Sequence, residues 1–301
     1  MNVNSIADMR IHAITFATPS YLESARFGAM RALQKGADSI RIFTPLDFET
    51  DPNLKELLTY RSIDFGIRGA GYWLWKPTII LSEIQKLAEN EYLLYFDSSI
   101  TLDAKLNLEE FEVGKKAFHV WAYEQHSNNL ESWTDGRVLD YLDVSPGSRK
   151  SPMVIAGFLL IKKTKKSLQL IEKWLEWSLI DDLLCPDRFE GYSPTHGTIW
   201  HRHDQSLLSI LVAQNPEDFG LEKIDEFEAV FSRPLFIQHR RLNPKFIFMS
   251  FLNYRPRIVA RRILNFTPSS FRQWVREVRN KKKISVQEQL AHKNFYGKKW
   301  P

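Results

Sequence analysis

The strongest constraint on this chain lies in its first 45 residues. Ile11 to Thr18 is apolar and β-rich and runs into the polar turn Thr18-Pro19-Ser20. Tyr21 to Gly36 then carries Leu22, Phe27, Met30 and Leu33 at helical spacing, with Gly36 placed to end the helix, and Ser39 to Pro45 (SIRIFTP) reads as a second short strand. Strand, helix, strand at this spacing is a parallel βαβ unit. Units of this kind build sheets covered by helices on both faces, with ligands bound beyond the carboxyl ends of the strands.

The alternation continues. Pro77 to Leu87 reads as a helix with proline in its first turn, and Tyr92 to Phe96 (YLLYF) is an apolar run that stops at Asp97-Ser98-Ser99. Ala117 to Tyr123 and Val154 to Ile161 are expected to be strands, Ser167 to Leu179 and Asp204 to Ala213 helices, and Phe227 to Gln238 a returning strand. Between 124 and 151 the composition turns polar with Gly and Pro, which predicts a long surface segment covering a site. A chain of 301 residues buries enough surface to need no disulfide or metal for its core. Its single cysteine, Cys185, excludes an internal disulfide framework and any multi-cysteine zinc site, and agrees with a reducing, cytoplasmic setting. MNVNSIADMR lacks the pattern of a secretory leader, and no apolar stretch reaches membrane-spanning length.

The net charge of +5 conceals a division. Residues 240–301 hold 16 Lys and Arg against 2 Glu, a balance of +14; the preceding residues hold 25 basic against 34 acidic groups, a balance of −9. An acidic body is followed by a basic extension, whose expected partner is an anionic surface or the acidic body itself. Within it Thr267-Pro268 opens a helix, and Phe271, Trp274, Val275 and Val278 share one face, followed by Lys281-Lys282-Lys283. A basic amphipathic helix of this kind over 255–283 suits the surface of an anionic bilayer, making the chain peripheral to a membrane; a helix packing its aromatic stripe on the body fits the same pattern. A nucleic-acid partner fits the extension but not the acidic body, and no nucleic-acid reading motif is present.

Four places carry the chemistry. Asp97 ends an apolar strand, where a carboxylate can hold ribose or a divalent cation, or cap a turn. Arg68-Gly69-Ala70-Gly71-Tyr72-Trp73-Leu74-Trp75-Lys76-Pro77 combines glycines, stacking faces and positive charge, which suits a nucleotide or sugar phosphate; the tryptophans equally suit a core. His201-Arg202-His203-Asp204-Gln205 opens a helix, with Asp204 as its N-cap or as a functional group. His239-Arg240-Arg241 follows an apolar run and offers phosphate ligands.

In order, the strand and turn at 11–21, the segment 71–77, YLLYFDSS at 92–99, AGFLLIKKTKKS at 156–167 and HDQSLLSIL at 203–211 resemble the GT-A nucleotide-sugar glycosyltransferases, and within them the family 8 type of bacterial sugar transferases. The resemblance implies an α/β fold with a mostly parallel central sheet flanked by helices over residues 1–240, with 241–301 as a helical extension. It also implies transfer of a hexose from a nucleoside diphosphate, UDP first, to a glycan or lipid-linked acceptor. On that likeness Thr15, Ala17 and Tyr21 surround the nucleoside. Asp97 matches the first aspartate of an Asp-X-Asp motif that binds ribose and a manganese or magnesium ion, though the third position here is Ser99, a poorer ligand for a hard dication. Ala156-Gly157 matches a small-residue turn below the donor sugar, Asp204-Gln205 a pair facing the reacting carbon, and His239 a late metal ligand. Arg68, Trp73, Trp75, Lys76, Arg240 and Arg241 complete the expected donor site. A catalytically silent sugar-nucleotide-binding protein fits the same residues.

Overall fold

A computed structural model describes residues 9–102, 104–106, 108, 118–195, 197–224 and 236–238. In chain order they form β1 (Ile11–Phe16), α1 (Leu22–Gln34), β2 (Ser39–Phe43), α2 (Pro45–Thr50), α3 (Pro52–Leu57), α4 (Trp75–Ile84), β3 (Tyr92–Phe96) and β4 (Ile100–Leu102). Then come β5 (Val120–Asn129), α5 (Leu130–Trp133), α6 (Gly136–Tyr141), β6 (Pro152–Lys162), α7 (Lys165–Ser178), α8 (Asp181–Leu184), α9 (Asp204–Gln214), β7 (Phe219–Ile224) and β8 (Phe236–Gln238).

The central sheet has the order β2-β1-β3-β6-β5-β7. β1 pairs parallel with β2 and β3, β5 pairs parallel with β7, and β6 runs antiparallel to both of its neighbours. Five of the six strands therefore point the same way, as the mostly parallel α/β expectation required. Strand alternation sends Ile14, Phe16, Leu93, Tyr95, Leu159 and Ile161 to one core, and Ile11, Ala13, Leu94, Phe96, Phe158 and Leu160 to the other. Because both faces are covered, β3 (YLLYF) and most of β6 read as unbroken apolar runs. Helices α4, α7 and α9 cover the first face. α9 is buried along almost its whole length from Asp204 to Val212, which is why apolar residues run without a break from Ile210 to Ala213 and Ser206 and Ser209 before them are small and covered.

Several expectations need correction. The helix after β1 is present, but Met30 and Leu33 are 47% exposed and its buried side is Ser24, Ala25, Gly28, Ala29 and Ala32. Small residues win that face because the helix lies close on the sheet. A Cβ on Gly28 would stand 3.0 Å from both the Ile100 carbonyl oxygen and the Phe96 ring. Residues 124–151 are not simply a surface segment: β5 continues to Asn129, and Leu130, Trp133, Val138, Leu139 and Val144 enter the core. Edge strand β7 was not foreseen. Of the strand expected over 227–238, Phe236–Gln238 is a described strand, pairing with β4 so that Gln238 opposes Ile100. The basic extension, including the helix expected after Thr267, lies outside the described residues. Among the described residues no helix is long and apolar enough to cross a membrane.

Candidate active site

Asp97 follows directly on β3, at the carboxyl edge of the parallel strands. Its backbone N–H donates to the Gly157 carbonyl at 2.8 Å, extending the antiparallel ladder by one bond beyond Phe96 and Phe158. Its side chain is 28% exposed, so it is reachable from solvent. The Tyr95 hydroxyl donates to Asp97 Oδ1. Burial, and then the Asp97 charge, hold the Tyr95 pKa well above its ordinary value, so it remains a donor. Gly157 leaves room for the carboxylate: a Cβ there would stand 2.8 Å from Asp97 Oδ2. Ala156 and Gly157 are not a turn, as the resemblance implied, but lie inside β6, just beyond the Phe96–Phe158 pair that ends its ladder to β3.

Lys76 sits in the first turn of α4 and is 3% exposed. Its ammonium lies 2.7 Å from Asp204 Oδ2 and 3.3 Å from Asp97 Oδ1. Burial alone would lower its pKa, but Asp204 and Asp97 outweigh burial and hold its pKa above that of an ordinary lysine. Asp204 is 4% exposed. Burial raises its pKa above the usual carboxylate value, against the pull of Lys76. It is the first residue of α9 rather than its N-cap, a place taken by His203. The Trp174 indole N–H donates to the Asp204 carbonyl at 3.1 Å, and the neighbouring Gln205 donates from Nε2 to Gln125 Oε1, at the β5 edge, at 2.9 Å.

Both carriers of this ion pair leave from uncommon backbone. Gly69, Ala70, Gly71, Tyr72 and Trp73 all have positive φ, forming one left-handed turn closed by Tyr72 N–H to Arg68 O at 2.8 Å and Trp73 N–H to Gly69 O at 3.2 Å. Each non-glycine residue in such a conformation costs about 1–2 kcal/mol. His203, immediately before Asp204, has φ 52° and ψ −121°. The two segments brace each other, since the rings of Tyr72 and Trp73 pack on that of His203 with centroids 5.1 and 5.5 Å apart. His203 Nδ1 is 2.9 Å from the Leu184 carbonyl oxygen. Burial, then His201, keep its imidazole neutral, and burial pushes the neighbouring His201 down to about 4. Strained backbone concentrated around one buried ion pair is a recurrent property of functional sites.

The other expected residues distribute as follows. Thr15 is wholly buried in β1 with no hydrogen-bond partner for Oγ1, and Ala17 just beyond it donates its N–H to Phe43 O at 2.8 Å. Tyr21 closes a short 3-10 turn after β1, and Ser99 is half-buried two residues after Asp97. Trp75 stacks on Phe16 with centroids 4.1 Å apart and donates Nε1–H to Gly69 O, so it belongs to the core and braces the left-handed turn. Trp73 is half-buried against His203. Arg68 is turned to Asp187, at 3.0 Å, and lies over the Trp200 ring. His239, Arg240 and Arg241 lie outside the described residues. Tyr95, Gln125 and Trp174 were not singled out in the sequence. Tyr95 was within reach, since residues two apart on a strand share a face and Tyr95 precedes Asp97 by two.

The described residues do not suit a divalent cation. Asp97 Oδ1 already faces Lys76 and Tyr95, Asp204 Oδ2 faces Lys76, and the third motif position is Ser99. Among the described residues no group of three or more His, Cys, Asp or Glu could hold a metal ion.

No protein-family model and no curated protein matches the sequence. Among solved structures, mouse xyloside xylosyltransferase 1 in its apo form matches over 71% of this chain and 85% of its own, at 11% identity and a TM-score of 0.39.

Proposed function

We propose that the chain is a glycosyltransferase that moves a hexose from a nucleoside diphosphate, UDP first, to a hydroxyl of a glycan or lipid-linked glycan. The observation that carries this reading is the cluster of Asp97, Lys76 and Asp204 at the carboxyl edge of the parallel strands, where ligands of open α/β sheets bind. The ordered motifs that resemble GT-A enzymes of the family 8 type support it.

In this reading the half-open Asp97 carboxylate accepts from the ribose hydroxyls, while Tyr21 lines the nucleoside above the covered Thr15 and Ala17, and Gly157 leaves space beneath the donor sugar. With both carboxylates ionised, the cluster carries a net charge of −1, which complements the oxocarbenium character that develops at the sugar C1. The bond from C1 to the diphosphate oxygen breaks and its electron pair leaves with the nucleoside diphosphate; the acceptor oxygen bonds to C1. The acceptor proton goes to Asp204 in an inverting reaction or to the departing phosphate oxygen in a retaining one, and the family 8 likeness favours retention. Arg240 and Arg241 are the groups proposed to meet the diphosphate charge, because Lys76 is already shared by two carboxylates.

Calorimetric titration with UDP tests the donor site. The wild type binds, and Asp97→Asn binds at least ten-fold more weakly without losing its fold; equal binding by the two proteins would remove Asp97 from the site. The second reading, a sugar-nucleotide-binding protein without turnover, is favoured by Ser99 at the third motif position, and it requires UDP binding with no release of UDP from any UDP-sugar.

A further inference from the structure

We infer that Lys76 is the site's resident cation: its ammonium lies between Asp97 and Asp204 and balances one of their two charges, so that this carboxylate pair works without metal. The inference deepens the proposed function and rests on it for the identity of the substrate, though its geometry stands independently.

Three observations carry it. The ammonium is bracketed by the two carboxylates, at 2.7 and 3.3 Å, and is almost completely covered, so it cannot swing out to admit an ion without opening α4. α4 itself is anchored. Its first residue, Trp75, is stacked on Phe16 and bonded to Gly69, and Thr78 and Ile79 just beyond Lys76 are wholly buried. Among the described residues the hard-ligand set is also incomplete, because Ser99 is a neutral hydroxyl and one of the two Asp97 oxygens, Oδ1, already accepts from Tyr95 and faces Lys76. A lysine fixed in this way supplies one positive charge without exchange, and leaves the carboxylates to meet hydroxyl groups and a developing sugar cation rather than phosphate.

The test is direct titration of the full chain with Mn2+, followed by electron paramagnetic resonance, with UDP release from UDP-hexoses assayed in parallel. The wild type is expected to show no Mn2+ binding that Asp97→Asn removes, and to release UDP at equal rates, within two-fold, in excess chelator and in millimolar Mn2+. Lys76→Met, which frees both carboxylates, is expected to bind Mn2+ at least ten-fold more tightly than the wild type and to gain melting temperature when Mn2+ is added. Mn2+ bound by the wild type and lost in Asp97→Asn overturns the proposal, as does UDP release abolished by chelator. If Lys76→Met does not fold, the comparison of wild type with Asp97→Asn decides alone. Absence of UDP release under every condition contradicts the transferase reading but not the resident cation, which the Mn2+ titration judges separately.

Discussion

The Lys76 ammonium lies 2.7 Å from Asp204 Oδ2, and the two side chains are 3% and 6% exposed. Removing one partner of such a pair strands a buried charge, at a cost of about 3–5 kcal/mol. Lys76→Met is therefore expected to lose about that much in urea unfolding. Lys76→Met combined with Asp204→Asn should recover a large part of the loss, because Asp97, the remaining carboxylate, reaches solvent.

The same burial shapes the pH dependence of turnover. The Asp204 pKa is raised above 3.8, chiefly by desolvation. Protonation neutralises it as pH falls through that raised value, so the rate should decline on an acid limb displaced upward from the ordinary aspartate value. The limb should move when Lys76 is replaced, because the pull that opposes desolvation is then gone. A rate profile that is flat through this region would remove Asp204 from the chemistry.

Stability should have its own acid limb. Burial lowers the His201 pKa from 6.5 to about 4, so the fold favours the neutral ring. The unfolded chain binds the proton first; stability is fully present above about pH 6.5 and is lost as pH falls toward 4, by about 3 kcal/mol for this residue. Denaturant unfolding between pH 7 and 4 measures it, and His201→Gln should reduce the slope by this residue's share, leaving that of the buried His203.

Gly157→Ala separates function from folding. The added methyl would stand 2.8 Å from Asp97 Oδ2, and the carboxylate is exposed enough to give way. UDP affinity should fall at least ten-fold while the melting temperature changes little. Gly71→Ala should do the opposite. At φ +90° its Cβ would meet Ile63 Cγ2 at 2.2 Å, so strain and overpacking together should destabilise the fold by about 2–4 kcal/mol, read in the same urea titration.

Trp75 offers a control on the donor site. Because it stacks on Phe16 inside the core, Trp75→Ala should lose about 3–5 kcal/mol of stability. Trp75→Phe should keep most of the stability and leave UDP affinity unchanged, which isothermal titration would show.

The sheet was legible because β1, β3 and β6 are buried on both faces and are therefore largely apolar. The position of Asp97 was legible for a related reason: the apolar run ends there. The buried face of α1 was not, because Gly28 and the alanines around it are selected by closeness to β4 and Phe96, a tertiary fact that outweighs the apolar spacing of Met30 and Leu33. The role of Lys76 was also hidden. In sequence it belongs to the same ten-residue segment as Arg68, yet with the left-handed turn at 69–73 between them Arg68 meets Asp187 and Lys76 meets Asp97 and Asp204. Nothing in periodicity foretells five consecutive positive φ angles when three of the residues are not glycine.

The most direct test of the central claim is the release of UDP from UDP-hexoses by the full chain, with and without glycan acceptors, compared with Asp204→Asn. The expected result is wild-type release that rises when an acceptor is added and falls at least about a hundred-fold in the variant. Equal release by the two proteins, or none by the wild type from any UDP-hexose, would contradict it.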